Sequence, residues 1–430
     1  MQNKVVKNAS WIIGVKIVQS LLAFVISSLT ARYLGPSNYG VIGYAQSIVA
    51  FVTPIMQLGL TAVLVQELVQ NPNDEGKILG TAQAMSIVSA VLCILGVLGF
   101  AFLTNAGETE TIIVCALYSL VLICQSFEML QYWFQAKYLS KYSSVIMLIA
   151  YIVVTGYRTV LLICEKDVYW FAVSYAIDYC LIAIGMHIVY RKLGGQRLQF
   201  SRPLAKRLFV RGKYYIVSGL MVTVFAQTDR VMLKLMVGDA ETGFYSAAVT
   251  CAGLTSFVFG AMIDSMRPMV VESKGISQRR YEEAVLQLYS IVLYCAMLFS
   301  IFVAAFAPLV VSVLYGQAYE PSINVLRVIV WYTSFSYFGG AKDVWVLAEG
   351  KQKYLLWLNS FGAIANIGLN LLLIPFWGAV GAALASLVTQ IFTNVIMCYF
   401  IRPLRANAFL FFKALNPTVF YRTVKSMIAR

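Results

Sequence analysis

Charge is scarce in this chain. Asp, Glu, Lys and Arg make up 12% of its 430 residues, about half the share a soluble domain uses to cover its surface. A soluble globular protein is therefore excluded. Histidine is rarer still. His187 is the only one, so neither a histidine metal centre nor a histidine-based nucleophile system is available. The eight cysteines, Cys93, Cys115, Cys124, Cys164, Cys180, Cys251, Cys295 and Cys398, form no CxxC and lie in or beside apolar runs. They read as small apolar side chains rather than disulfides or metal ligands. No GxxxxGK[ST] loop occurs, nor any polar stretch large enough for a nucleotide-binding module, which argues against ATP hydrolysis by this chain. Alternating ten-residue strands, the mark of a membrane barrel, are also missing. The N-terminal run lacks a small-residue cleavage site, so residues 9–30 are expected to be a first membrane span rather than a removed signal.

What the chain has instead is hydrophobicity: 60% of its residues are apolar. They come in runs near the roughly 20 residues that cross a bilayer as a helix. The runs fall at 9–30, 41–65, 78–103, 111–131, 143–164, 168–190, 211–236, 244–266, 286–312, 324–346, 354–375 and 378–401. The expected fold is an all-α polytopic membrane protein of about 12 spans. The net charge of +14 raises the question of nucleic acid, but the basic residues sit in particular loops, and no nucleic-acid motif accompanies them. With a cytoplasmic N-terminus and alternating spans, 25 of the 33 basic residues are cytoplasmic. Arg32, Lys166 and Lys234 alone fall outside, and five lie within spans. Both termini are then cytoplasmic.

The longest polar break, 191–210, separates six spans from six. The expected organisation is a six-helix lobe at 1–190, a cytoplasmic linker at 191–210, a second six-helix lobe at 211–401 and a basic tail at 402–430. The tail, with Phe409, Phe411, Lys413, Arg422 and Lys425, leaves open an interfacial helix or a basic segment of little structure. Two internal matches point to duplication. Gly35, Gly40 and Ala45 recur 203 residues later as Gly238, Gly243 and Ala248. Trp133, Ala136, Lys141 and Tyr142 recur 212 residues later as Trp345, Ala348, Lys353 and Tyr354. Six spans per half make the repeats parallel, and a central cavity between such halves suits alternating access.

Ionisable residues inside a membrane mark function more often than structure. Ten are candidates: Lys16, Glu128, Arg158, Asp178, Asp229, Arg230, Asp264, Arg327, Lys342 and Asp343. Glu128, Asp264, Lys342 and Asp343 sit near cytoplasmic ends, where snorkelling or capping suffices. Lys16 shares a helical face with Ser20, Ala23, Ser27 and Thr30, and Arg230 shares one with Thr223, Gln227 and Lys234. Lys16, Arg158, Arg230 and Arg327, with Gln227, are the candidates to hold an anionic head group; arginine's forked donors suit phosphate. Internal salt bridges are the competing account. Asp178, Asp229 and Glu128 are the candidates for ion coupling. No cofactor is called for. Tyr118, Tyr132, Trp133, Trp345 and Trp357 read as interface anchors, and Pro54 and Pro308 as kinks within spans.

The segment ARYLGPSNYGVIGYAQS at 31–47 and its counterpart TDRVMLKLMVGDAETGFYSAA at 228–248 resemble the bacterial polysaccharide-export branch of the multidrug, oligosaccharidyl-lipid and polysaccharide flippase superfamily. The resemblance covers nearly the whole chain and implies a MATE-like fold. It implies Gly35, Pro36 and Gly40 as a structural turn. It implies a bacterial inner-membrane protein that moves undecaprenyl-pyrophosphate-linked oligosaccharide repeat units, of O-antigen or capsule, from the cytoplasmic to the periplasmic leaflet. A polysaccharide polymerase and chain-length machinery are the implied downstream partners, lipid-linked oligosaccharide and bilayer phospholipids the immediate ones. A proton or a sodium gradient is left open as the driver. The rival readings are a cation-coupled multidrug exporter and a peptidoglycan lipid-precursor flippase.

Overall fold

In lipid every backbone N–H and C=O must find its partner within the segment, and helices satisfy that demand. The computed structural model describes the backbone from Gln2 to Ile428 and the side chains from Val18 to Lys425; over those residues it contains helices, turns and no strand. Nine stretches of the described chain are long and apolar enough to cross a membrane. Two of them, Val18–Met56 and Lys353–Phe400, are broken by non-helical glycines, Gly35 and Gly378. The 27-residue helix Ser322–Ala348 stands beside them. Counting each broken stretch as two and adding this helix gives the twelve expected segments.

They are α1 (2–34), α2 (36–56), α3 (Glu75–Thr104), α4 (Thr109–Ala136), α5 (Ser140–Ile163) and α6 (Val168–Lys192). There follow α7 (Arg202–Met236), α8 (Asp239–Lys274), α9 (Gln278–Leu314), α10 (Ser322–Ala348), α11 (353–377) and α12 (379–400). The tail resolves in favour of helix, as α13 (Arg405–Ala414) and α14 (Pro417–Ile428). It docks on α9, where Tyr294 stacks on Phe420 at 4.6 Å and its hydroxyl donates to Leu415 O at 2.7 Å.

The chain divides into two compact units that meet between Val231 and Met232, inside α7. Within each unit large apolar side chains stand exposed, such as Leu92, Leu103 and Ile163 in the first and Leu298, Leu372 and Phe376 in the second. A water-soluble protein would hide such a band. This is a multi-pass membrane protein.

The first unit extends past its sixth span because the connection after α6 is fastened to it. Gln196 Oε1 accepts from Gly76 N (2.9 Å), Gln199 N donates to Gly76 O (3.1 Å) and Ser201 N donates to Thr81 Oγ1 (3.0 Å). α7 begins at Arg202, earlier than the apolar run suggests, and its first turns carry Arg207 and Arg211. Both reach Glu67, which is buried in the short helix Leu64–Gln70. At Gly212 the backbone passes so close to Leu58 that an added Cβ would lie 2.3 Å from Leu58 O.

The duplication read from sequence recurs in the backbone. Gly35 and Gly238 both take positive φ, 74° and 123°, at the joint between the first two helices of each half. Only a residue without Cβ adopts that region freely. The second match is closer still. After α4, Lys137 N, Tyr138 N and Leu139 N donate to Trp133 O, Gln135 O and Phe134 O. After α10, Glu349 N, Gly350 N and Lys351 N donate to Trp345 O, Leu347 O and Val346 O, the same positions 212 residues on. Both joints end their helix through a left-handed residue, Tyr138 in one and Gly350 in the other.

The aromatic residues read as interface anchors need correction. Trp357 is exposed, but Tyr118, Trp133 and Trp345 are buried. Trp133 Nε1 donates to Glu75 Oε2 at 2.7 Å, and Lys351 sits 4.5 Å over the Trp345 ring. The polar edge of Trp133 and the ring face of Trp345 find partners inside the protein, so neither needs an interface.

Candidate functional site

In the first unit, α2, α4, α5, α6 and the middle of α7 bring polar side chains together. α5 and α6 pack side by side, and Arg158 of α5 points at α6. Its Nε donates to Ser174 Oγ at 2.8 Å, and its guanidinium lies 4.1 Å over the ring of Tyr175. Ser174 Oγ passes its own proton to Phe171 O at 2.6 Å, which leaves the oxygen lone pairs for the arginine. Tyr175 in turn packs on buried Tyr118 of α4, ring centres 4.8 Å apart. Arg230 of α7 donates through Nη1 to Gln227 Oε1 at 3.0 Å, one helical turn away, and Ser47 Oγ of α2 donates to the same oxygen at 3.1 Å. Tyr118 is within electrostatic reach of both guanidiniums.

Neither arginine is in an ion pair among the described residues; both are held by neutral groups. Arg158 is 7% exposed, and Arg230 Nε is buried without a hydrogen-bond partner among the described residues. A buried cation without an anion at contact distance is costly. The salt-bridge account of these residues therefore finds no bridge here. Asp178 and Arg158 interact through space. Asp178 Oδ1 is itself buried and without a partner among the described residues. Glu128, in the tight turn Phe127–Met129 of α4, lies within electrostatic reach of Asp178. Asp229 is buried in α7.

The other candidates stand apart. Lys16 lies outside the residues whose side chains are described. Arg327 is in the second unit, exposed, and donates to Asn324 Oδ1 at 3.3 Å. Lys234, also in the second unit, pairs with Asp239 at 2.6 Å. Asp264 is exposed and pairs with Arg267 at 2.9 Å. Lys342 does not snorkel. It is 4% exposed, and its Nζ donates to Asn394 Oδ1 at 2.9 Å. Asn394 sits in a widened π-type turn, Phe392–Ile396, and donates to Gln390 Oε1 and to Phe335 O. Such turns re-aim side chains inside a helix and concentrate at functional places.

Sequence reasoning missed Ser47, Tyr118, Ser174 and Tyr175. A signal was present for one of them. Ser174 and Asp178 are four apart on α6, so they share a face. Nothing in the sequence places that face against Arg158.

The family model for polysaccharide biosynthesis proteins matches residues 5–274, more than half of the chain. The chain belongs to that family. Among curated relatives, the putative O-antigen transporter of Shigella flexneri is 20% identical over 404 residues, 89% of this chain and 94% of its own. The uncharacterized membrane protein MJ1068 of Methanocaldococcus jannaschii is 22% identical over 248 residues, 55% of this chain; the match spans 48% of that relative's length. Among solved structures, the lipid II flippase MurJ in an inward closed conformation aligns with TM-score 0.74 at 13% identity, over 95% of this chain and 94% of its own. An inward-facing multidrug resistance MATE transporter of the MOP superfamily aligns with TM-score 0.67 at 13% identity, over 90% and 96%. At that identity the two structures speak to fold, and the fold is MATE-like.

Proposed function

We propose that this chain moves lipid-linked oligosaccharide repeat units, joined through pyrophosphate to undecaprenol, from the cytoplasmic to the periplasmic leaflet of a bacterial inner membrane. The movement is by alternating access and supplies O-antigen or capsular polysaccharide synthesis. The observation that carries this reading is the pair Arg158, buried, and Arg230, half-buried with its Nε inside, both within electrostatic reach of Tyr118 and held by neutral partners. A pyrophosphate gives such cations the counter-charge the protein withholds, and guanidinium forks match its oxygens. Gln227, fixed by Ser47, orients Arg230. Lys16 and Arg327 are the further residues that the sequence offers for an anionic head group. The saccharide travels with the head group while the polyprenol stays in the bilayer, and a polymerase with its chain-length machinery takes the product.

Asp178 and Glu128 are the residues for coupling to a proton or sodium gradient, with Asp229 the third. Asp178 is next to Arg158 electrostatically, so a change in its charge alters how strongly the arginine holds an anion.

The test is reconstitution of the purified chain in vesicles with undecaprenyl-pyrophosphate-linked oligosaccharide and a sugar probe that reads one leaflet. The expected result is movement above protein-free vesicles, reduced at least tenfold in Arg158→Ala or Arg230→Ala at equal abundance. Movement of amphiphilic drugs alone would favour the exporter reading instead.

A further inference from the structure

The turn at Gly35 also shapes one wall of a cavity. At that end of the first unit, a space of about 320 Å³ opens between the α1–α2 joint, the start of α4 and the α5–α6 joint. Its walls are Tyr33, Asn38, Glu110, Lys166, Asp167 and Tyr169, with Leu34 and Val168 beneath. The size suits a small ligand of one or two rings. The walls combine two tyrosines, an amide and two carboxylates, which serve the C–H faces and the hydroxyl groups of a sugar.

The second half treats the equivalent corner differently. Asn38 corresponds to Glu241 at the offset of 203, and the α5–α6 joint corresponds to the α11–α12 joint. There Glu241 Oε2 accepts from Ala379 N at 2.6 Å and lies 2.5 Å from where a Cβ on Gly378 would be. The carboxylate bridges the two joints. In the first half Asn38 and the facing joint residues Lys166 and Asp167 line an opening instead. The same corner is bridged by a carboxylate in one repeat and lines an opening in the other.

We infer that the cavity between Tyr33, Asn38, Glu110, Asp167 and Tyr169 binds a sugar ring of the cargo, separately from the pyrophosphate. This rests on the proposed function. Charge divides the labour. Two carboxylates against one lysine repel a phosphate but accept hydroxyl protons, while the arginine pair does the opposite. Tyr33 and Tyr169 supply ring faces for stacking.

The experiment uses the full chain in lipid nanodiscs and two kinds of probe. One is undecaprenyl pyrophosphate carrying a single glucosyl, galactosyl or N-acetylhexosaminyl unit; the other is undecaprenyl pyrophosphate without sugar. At least one glycosylated probe is expected to bind about tenfold more tightly than the bare one, the worth of one or two hydrogen bonds. Asn38→Glu, which copies the second half, and Asp167→Asn, which keeps a residue suited to the start of α6, should each reduce that ratio toward one. Unfolding midpoints of both variants are measured alongside. A ratio near one in the wild type overturns the sugar site and leaves the cargo reading standing. So does a ratio unchanged in both variants at normal midpoints. Failure of every probe to bind overturns the cargo reading and the sugar site together.

Discussion

Glu67 is 1% exposed, yet its two partners, Arg207 and Arg211, are each about half exposed. That asymmetry predicts an asymmetric response to substitution. Arg207 Nη2 lies 2.9 Å from one carboxylate oxygen, and Arg211 Nη1 takes the other. Replacing both arginines by methionine leaves a buried carboxylate with only the amide of Asn71, 3.3 Å away. Breaking a buried pair in this way costs about 3–5 kcal/mol. Glu67→Gln instead leaves two arginines that water can reach, and costs about 1–3 kcal/mol, the loss of charge-assisted hydrogen bonds. Glu67→Leu added to the double arginine variant removes the stranded charge and should recover most of the larger loss. The assay is thermal unfolding of the full chain in one detergent, with the four proteins compared side by side. Equal damage from Glu67→Gln and from the double arginine variant would refute the reasoning, as would a triple variant no better than the double.

Three further outcomes are expected. Tyr138 and Gly350 occupy the same left-handed position in matched joints, so Tyr138→Gly should raise stability by about 1 kcal/mol, read as a higher unfolding midpoint. The buried ammonium of Lys342 is held by Asn394 Oδ1 at 2.9 Å and, less closely, by Asp343 at 3.4 Å; Asn394→Leu should therefore lower the midpoint, and Lys342→Met should recover part of that loss. Burial pushes the Glu349 carboxyl up, but hydrogen bonds and charge from Lys274 and Lys351 outweigh it and hold it below the ordinary carboxylate range. Its folded-state pKa is depressed, so its contribution is present above about pH 4.5 and fades as pH falls through the lower folded value. The midpoint gap between wild type and Glu349→Gln should hold steady from pH 7 to 5 and close below that.

Most of the fold was legible because lipid imposes a simple rule: an apolar run near 20 residues becomes a helix, and breaks between runs become joints. Gly35 and Gly238 stood out because a left-handed joint needs glycine, and the repeat needs it twice. The start of α7 at Arg202 was harder to see, since its first turns are polar and are stabilised by Glu67 rather than by lipid. The candidate site was legible by composition but not by contact. Arginine in a span announces itself; Ser174, Tyr175 and Tyr118 do not, because serine and tyrosine are ordinary in membrane helices. Trp133 and Trp345 misled for the same reason: a tryptophan near a span end looks alike whether it faces a head group or a buried carboxylate. Lys342 looked like a residue that reaches for water, and only the turn around Asn394 reveals why it stays inside.

The central claim is that Arg158 and Arg230 of the first unit, cations held by neutral partners, neutralise a phosphorylated cargo. The most direct measurement compares initial flipping rates, in vesicles, of a pyrophosphate-linked polyprenyl saccharide and an uncharged polyprenyl glycoside with the same sugar. The wild type should move the charged lipid at least tenfold faster, and Arg230→Gln or Arg158→Gln should erase that preference. Equal rates for the two lipids in the wild type, or a preference untouched by both substitutions, would contradict the account.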